Sequence, residues 1–289
     1  MAQQLLPLGL AFIMFAVGIG LRFENFKEVA LHPQAFFVGL ANQVLVLPLI
    51  GLLVVSFYNG PVEFALGIMI LAACPGGITS NLIAVLASGN AALSVSMTAV
   101  TSLASIFTVP AVLYGAHLFL MGDGHAIQMP VGRVMAGIFL ITGVPVLLGM
   151  FLNLKLPSLC KSVMPYVRST ATLIFALIVA GAFISNMDNI TTHFFDVGLF
   201  LVLLNIATIG LGFLIARKLN CNRADSITIC LECGLQNVAL AIFIAINILN
   251  DANLMIPAII YALVMNVSAA VIIFLVRATT PKALPHPSK

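Results

Sequence analysis

Nine apolar stretches, each long enough to cross a membrane as a helix, occupy most of this 289-residue chain. A membrane-spanning helix needs roughly 20 consecutive apolar residues. Hydrophobic residues make up 62% of the chain and charged residues only 7%, whereas soluble proteins carry about a quarter charged residues. Backbone groups in lipid must find hydrogen-bond partners within the protein, which leaves helices or closed barrels, and runs of this length are typical of helices. We therefore predict an all-α polytopic membrane protein with nine transmembrane helices.

The distribution of basic residues predicts how these helices are oriented. The predicted spans cover about residues 4–21, 34–57, 64–87, 91–114, 131–153, 164–186, 194–216, 226–249 and 255–276. Eleven of the twelve Lys and Arg residues then fall on one side, and only Arg133 falls on the other. Because Lys and Arg accumulate in cytoplasmic connections, we expect a cell-membrane protein with its N-terminus outside and a cytoplasmic tail at 279–289.

One acidic side chain, Glu232, lies deep within the eighth predicted span. The other eight of the nine acidic residues fall in connections or at span ends. An ionisable group at that depth costs about 3 kcal/mol or more, so it usually has a function. The residues that follow, Cys233 to Asn237, bring a glycine and two amides where an ordinary spanning helix would have Leu or Val. This pattern predicts a helix that is interrupted to form a binding site.

The third predicted span carries a matching interruption at 74–81, with the sequence CPGGITSN. Pro75 removes a backbone donor and clashes with the preceding turn, and the two glycines loosen the backbone further. A Pro-Gly-Gly sequence that only kinks a structural helix is the alternative for this span taken alone. Glu232 in the other interrupted span favours the functional interpretation.

The two halves of the chain match as an inverted repeat. Both interruptions end in a polar pair, Ser80-Asn81 and Gln236-Asn237, and the preceding spans carry amides in mid-membrane, such as Asn205. Spans one to four pair with spans six to nine at an offset of five, an odd number, so the halves run in opposite directions across the bilayer. Inverted repeats with broken helices near the midplane are typical of secondary transporters. The freed carbonyls and the carboxylate favour a small cation there, and the helix N-termini favour an anion.

The fourth span supplies further oxygen atoms. Ser94 and Thr98 are four residues apart and therefore share one helical face. The same span also contains other hydroxyl groups, which the pattern does not separate from these two: Ser96, Thr101, Ser102 and Ser105. Hydrogen bonds from Ser and Thr to their own helix are the alternative.

Four segments, in chain order, carry a recognisable signature. They are LGLAFIMFAVGIGLRFENF (8–26), CPGGITSN (74–81), GNAALSVSMTAVTSL (89–103) and ECGLQNVALAI (232–242). Together they resemble the bile-acid–sodium symporter family over essentially the whole chain. The most specific part of the resemblance is the E-x-G-x-Q-N run combined with P-G-G-x-x-S-N.

The resemblance implies two sodium sites that share one carboxylate. The first site would use Ser80, Asn81, Ser94, Thr98 and Glu232. The second would use Gln43, Gln236 and Glu232, with backbone carbonyls near Cys233 and Leu235. The resemblance also implies a core domain, about 31–129 and 191–278, and a panel domain, about 1–30 and 130–190. Substrate would bind in the crevice between them, and the chain resembles the nine-span form of the family.

The resemblance further implies a substrate site next to the sodium ions. Substrate would touch Thr79, Asn237, Asn266 and the backbone near Gly76 and Gly77. Hydrogen bonds between helices are the alternative role of the two asparagines. Since no Lys or Arg falls in mid-span, helix ends and bound sodium would have to balance the charge. We therefore expect a small organic monoanion with an apolar body, such as a bile-acid-like or pantoate-like carboxylate.

Other functional classes have less support. The five His residues lie in connections, near span ends or in the tail, and no Asp lies in mid-span, so we expect no intramembrane enzyme. No basic cluster indicates nucleic-acid binding. We expect sodium-coupled import by alternating access in a monomer. A proton-coupled organic-anion transporter or exporter is the alternative, because a buried carboxylate can also carry protons.

Overall fold

The computed structural model describes residues 2–21, 33–121 and 130–279, and nearly all of these residues are helical. Six described helices are long and apolar enough to cross a membrane: Pro33–Ser56, Ala91–Leu120, Val131–Lys155, Pro157–Ser185, Met187–Lys218 and Asn253–Thr279. Three shorter apolar helices are Leu5–Gly20, Val62–Ala73 and Val238–Ile248. The predicted all-helical class is thus confirmed for the described residues, whereas the count of nine spans stays a prediction.

The helices are named here in chain order. They are α1 (Ala2–Gly20), α2 (Pro33–Ala41), α3 (Leu47–Ser56), α4 (Val62–Ala73), α5 (Ile78–Leu86), α6 (Ala91–Met121), α7 (Val131–Ile138), α8 (Val144–Lys155), α9 (Pro157–Ser185), α10 (Met187–Lys218), α11 (Arg223–Gly234), α12 (Val238–Phe243) and α13 (Ile256–Thr279). One-turn π-helical segments at Asn42–Val46 and Phe139–Gly143 join α2 to α3 and α7 to α8, and a third, Ile244–Ile248, extends α12. A 3₁₀ turn at Asn253–Met255 leads into α13.

Both predicted helix interruptions are present. The first separates α4 from α5, where Cys74 takes an extended conformation with ψ 148°, as expected for a residue that precedes proline. The second separates α11 from α12, where Leu235 is extended at φ −112° and ψ 92°. Asn237 then starts α12, because its Oδ1 accepts a hydrogen bond from Leu240 N at 3.0 Å, which is a typical N-cap.

Helices α9 and α10 are longer than the spans predicted for them. Sequence hydropathy placed connections at 154–163 and 187–193, but α9 begins at Pro157 and only Asn186 separates it from α10. Helices can continue past the apolar core as polar, exposed turns, so hydropathy marks the lipid-facing part and not the helix end. The positions 22–32, 122–129 and 280–289, which include most of the predicted tail, lie outside the described residues.

Several pairs of helices pack closely against each other. Helix α1 packs mainly on α8 and α9, while α10 packs on α11 and α13, and α4 packs on α3 and α6. Helices α1 and α8 cross closely at Gly18 and Gly149, where a Cβ on Gly149 would lie 2.5 Å from Phe15 O. Small residues at such crossings let backbones approach in membranes. Only 6% of the most apolar 18 residues of α9 are buried within the described structure, so this helix has a broad, exposed apolar face.

Candidate functional site at the crossing of two broken helices

The two interruptions meet and pair with each other. An isolated antiparallel bridge joins Gly76, in the first interruption, to Gln236, in the second. The backbone N–H of Asn237 donates to Pro75 O at 2.9 Å. Backbone groups freed by broken helices need such partners when they are buried. The crossing therefore holds four helix ends, those of α4, α5, α11 and α12, around one point.

The Glu232 carboxylate lies at this crossing and accepts hydrogen bonds from hydroxyl groups of α6. Ser94 Oγ donates to Oε1 at 2.5 Å, and Thr98 Oγ1 donates to Oε2 at 2.9 Å. Glu232 is only 1% exposed. No Lys or Arg within the described ranges forms a salt bridge with it. The site therefore holds a buried carboxyl group bonded to neutral hydroxyl groups.

Asn81 and Ser80, at the start of α5, complete the first predicted ligand set. Asn81 Oδ1 is an alternative acceptor for the same two α6 hydroxyl groups, at 2.8 Å from Ser94 Oγ and 3.2 Å from Thr98 Oγ1. Ser80 is fully buried and donates to Gly77 O at 2.7 Å. The structure thus brings all five predicted residues of the first sodium site together. Their oxygens are of the hard type that alkali and alkaline-earth cations prefer.

Gly76, which has no side chain, leaves space for the Glu232 carboxylate. A Cβ atom built on Gly76 would collide with Glu232 Oε2 and would lie 3.4 Å from Ser80 Oγ. A Cβ on the next residue, Gly77, would meet its nearest neighbour, Thr79 Oγ1, only at 3.6 Å. Glycine is therefore required at position 76, where the Glu232 carboxylate lies close to the backbone, but not at position 77.

The second predicted ligand set is linked by side-chain amides. Gln43 Nε2 donates to Cys74 O and to Gln236 Oε1, both at 3.0 Å. Gln236 Nε2 donates to Cys233 O at 2.6 Å. Gln43 lies in the π-helical segment of its span, and such segments often occur at functional sites.

The Gln43 carbonyl oxygen has no donor. Gln43 Oε1 is buried without a hydrogen-bond partner, and a cavity of about 10 Å³ lies beside Gln43, Cys74 and Pro75. That volume is close to the minimum for one water molecule. A buried acceptor that no donor satisfies is the kind of atom a cation can use, and Leu235, the remaining predicted ligand, lies in the adjoining interruption.

The residues predicted to contact substrate are only partly brought together. Thr79 lies beside Gly77 at the start of α5. Asn237 caps α12, and its Nδ2 lies 3.8 Å from Met14 Sδ of α1. Asn266 lies on the exposed side of α13 and donates to Ala262 O of its own helix at 2.6 Å. The described hydrogen bond of Asn266 is within its own helix, and its contact with substrate stays a prediction.

Sequence reasoning named Asn205 as a mid-membrane amide but did not predict that Asn205 and Tyr261 hold the end of α11. Asn205 Nδ2 of α10 and the Tyr261 hydroxyl of α13 each donate to Gly234 O at 3.0 Å. Ser268 donates to Asn205 Oδ1. The available signal was a tyrosine in mid-span, because a buried tyrosine hydroxyl usually has a hydrogen-bond partner.

A second cluster joins the N-terminal ends of α6 and α11. The Asp225 carboxylate, 6% exposed, accepts from Asn90 Nδ2 at 2.8 Å and from Asn222 Nδ2 at 2.7 Å. Asn90 N donates to Thr228 Oγ1 at 2.7 Å. These bonds tie the two helices that carry Ser94 and Glu232. The sequence placed Asp225 at a span end and did not predict that it is buried.

A large apolar cavity lies between α1, α9 and α12. Its volume is about 820 Å³, and its lining includes Phe12, Ile178, Gly181, Ile242 and Met255. Polar side chains contribute only at one end, through Ser185 and Asn186. Cavities of this size are typical of sites for small organic molecules. The first half of α1 and the last half of α9 form it, which is the side predicted to face outside.

Known proteins match this chain along most of its length. The chain is 30% identical over 237 residues to a chloroplastic probable sodium/metabolite cotransporter, BASS1, of Oryza sativa subsp. japonica, which is 82% of this chain and 57% of that protein. It is 28% identical over 241 residues to the ileal sodium/bile acid cotransporter of Oryctolagus cuniculus, which is 82% of this chain and 68% of that protein. It is 25% identical over 236 residues to the uncharacterized sodium-dependent transporter YocS of Bacillus subtilis (strain 168), which is 82% of this chain and 72% of that protein.

The family model agrees with these relatives. The chain spans 57% of the rice protein, so it corresponds to part of that relative's length. The model described as Sodium Bile acid symporter family matches residues 7–193. That match covers well over half of the 289 residues, and the chain therefore belongs to the sodium bile acid symporter family.

Proposed function

We propose that this protein is a sodium-coupled symporter that imports a small organic anion across the cell membrane by alternating access. The observation that carries the proposal is the buried Glu232 carboxylate at the crossing, bonded only to neutral oxygen donors in the described structure. A buried charge is costly unless it is paired. A sodium ion would supply the missing positive charge, and the neighbouring oxygens would complete its coordination.

The proposal includes two sodium sites that share this carboxylate. In the first, the hydroxyl groups of Ser94 and Thr98 would turn from donating to Glu232 and present their lone pairs to the ion. In the second, Gln43 Oε1, which is buried without a donor, would be a ligand together with Gln236 and the backbone near Cys233 and Leu235. The first ion would thus tie α5, α6 and α11 together.

We infer that the chain is an inverted repeat of nine spans. Support comes from equivalent contacts in the two halves. Gln43, in the second span, donates to Cys74 O at the end of α4, and Asn205, in the seventh span, donates to Gly234 O at the end of α11. In each half, an amide thus holds the carbonyl at the end of the next, broken helix.

The panel and core domains follow from the same scheme. The panel would contain α1, α7, α8 and α9, and the core would contain the remaining helices. The close packing of α1 on α8 and α9 supports a panel that moves as one body. The core would move against it, carrying the crossing from one side of the membrane to the other, as in other transporters with broken helices.

The substrate would be a monoanion with an apolar body. The N-terminal ends of α5 and α12 point at the crossing and favour negative charge, and the bound sodium ions would add positive charge. The cavity of about 820 Å³ is lined mainly by aliphatic side chains, which suits an apolar body. The relatives described as sodium/bile acid and sodium/metabolite cotransporters support a carboxylate of bile-acid-like or smaller size.

Sodium-dependent stabilisation of the purified protein tests the proposal. The unfolding midpoint should rise with NaCl but not with equal KCl, because a ligand that binds only the folded state stabilises it. A panel of organic anions should add a further shift only when sodium is present. Glu232→Gln should abolish the sodium response.

Asp225→Asn is the matched control. It makes the same carboxyl-to-amide change on the same helix, at a buried site away from the crossing. It should lower the midpoint in KCl and keep the sodium response. A sodium response that survives in Glu232→Gln would overturn the proposal.

Proton coupling is the second candidate, because the same carboxylate, which forms no salt bridge within the described residues, could carry a proton. With proton coupling, the unfolding midpoint would change with pH and not with sodium concentration. An organic anion would then raise the midpoint further in KCl at low pH, without sodium.

A further inference from the structure

One peptide group at the end of α11 is held from both sides. Its carbonyl, Gly234 O, accepts from Asn205 Nδ2 and from the Tyr261 hydroxyl, each at 3.0 Å. Its N–H, on Leu235, donates to Leu231 O at 2.9 Å. Carbonyls at a helix C-terminus normally lack intrahelical donors. Two side-chain donors on one such carbonyl therefore fix the plane of the Gly234–Leu235 peptide.

The two donors are themselves oriented by a network across three helices. Asn205 Nδ2 also lies 3.1 Å from the Tyr261 hydroxyl. Ser268 donates to Asn205 Oδ1, which turns the amide nitrogen toward the carbonyl. Asn205 and Tyr261 are fully buried, and buried polar networks of this kind are rigid when all members are paired.

The backbone also leaves this peptide little freedom to move. A Cβ on Gly234 would collide with the Ile209 side chain of α10, so α11 is pressed against α10 at its last residue. The carbonyl groups on either side of the fixed peptide are those of Cys233 and Leu235, and both belong to the second proposed sodium site. The orientation of those carbonyls depends on the peptide between them.

We propose that Tyr261 and Asn205 are positioning residues that set the affinity of the second sodium site by fixing the Gly234–Leu235 peptide. This inference rests on the proposed sodium-coupled function. Neither side chain touches the ion. Their bonds hold the end of α11 in the geometry that sodium needs, so less of the binding free energy is spent on ordering the backbone.

Tyr261→Phe tests the inference, because it removes one donor and keeps the ring. The purified protein is titrated with NaCl at constant ionic strength, made up with KCl, and the unfolding midpoint is followed. The loss of one hydrogen bond should raise the half-saturating sodium concentration about two- to tenfold. The maximal shift at saturating sodium should persist, since all ion ligands remain.

Two further variants make the result specific. Tyr114→Phe removes a hydroxyl from a half-exposed tyrosine of α6 and should leave the titration unchanged. Ser268→Ala removes the bond that orients Asn205 and should give a smaller rise in the same direction. This variant keeps both donors to Gly234 O, so it also serves if Tyr261→Phe fails to fold.

The outcomes separate this inference from the proposed function. A lower midpoint in KCl for Tyr261→Phe and Ser268→Ala, with unchanged half-saturating sodium, would make the network purely structural and overturn the inference alone. A wild-type protein with no sodium response would overturn the proposed function and, with it, this assignment.

Discussion

Gly76→Ala should damage sodium binding through a single methyl group. The Cβ of alanine would collide with Glu232 Oε2 and approach Ser80 Oγ to 3.4 Å. The carboxylate must then move away and lose its 2.9 Å bond with Thr98. Overpacking a buried site costs about 1–3 kcal/mol, and about 1.4 kcal/mol corresponds to a tenfold change in affinity. Because the displaced oxygen is a proposed sodium ligand, we expect sodium affinity to fall about 5- to 150-fold.

Gly77→Ala is the matched comparison, one residue along the chain. Gly77 has an extended conformation at φ −108° and ψ 175°, which alanine adopts readily. Its Cβ would meet Thr79 Oγ1 at 3.6 Å and Asn237 Cα at 3.8 Å, which are ordinary contacts. The sodium-dependent midpoint shift, measured without substrate, should therefore be near that of the wild type.

Both variants are titrated with NaCl at constant ionic strength, and half-saturating concentrations are compared. The steric reasoning is refuted if the two glycines respond alike, or if Gly76→Ala binds sodium as well as the wild type does. A lower midpoint in KCl for Gly76→Ala does not alter this comparison, since the half-saturating concentration is determined separately for each variant.

Three further substitutions test other parts of the scheme. Gly181→Leu should keep the sodium response and lose the response to anions, because Gly181 lines the large cavity and a Cβ there meets nothing within 4 Å. Gly210→Leu is the control: its Cβ also meets nothing within 4 Å, but it lies outside the cavity lining, so this variant should keep both responses. Equal anion responses in the two variants would contradict the assignment of the cavity to substrate. Gln43→Leu should weaken the sodium response and lower the free energy of unfolding by about 1–3 kcal/mol, because the buried acceptors Cys74 O and Gln236 Oε1 both lose this donor. A full sodium response, followed by thermal shift, would exclude Gln43 as a ligand. Gly149→Leu should abolish the monodisperse peak in size-exclusion chromatography, because the side chain would enter the backbone of α1 near Phe15; an unchanged peak would show that this crossing tolerates separation.

The sequence was sufficient for the parts of the site that depend on local chemistry. Pro75 cannot donate a backbone hydrogen bond, so the break after α4 could be located within a few residues. Glu232 stood out because a carboxylate is rare in an apolar run. Ser94 and Thr98 were placed on one face by their spacing alone, and the structure turns that face toward Glu232.

The parts that depend on tertiary packing could not be predicted. Tyr261 meets Gly234 O only because α13 and α11 are neighbours on α10, and no local pattern encodes that arrangement. The π-helical segment at Gln43 has no sequence signature. The Asn266 side chain donates a hydrogen bond to the Ala262 carbonyl of its own helix, and a single polar residue in a span does not reveal whether it bonds within its helix or outside it. The helix ends of α9 and α10 exceed their apolar segments, which are all that hydropathy can detect.

Equilibrium binding of ²²Na⁺ to the purified protein is the most direct test of the central claim, that one carboxylate serves two sodium ions. The wild type should bind about two sodium ions per chain. Glu232→Gln should lose both of them, because each site needs this charge, and Asp225→Asn should keep both. A Glu232→Gln protein that binds as much sodium as the wild type would contradict the account.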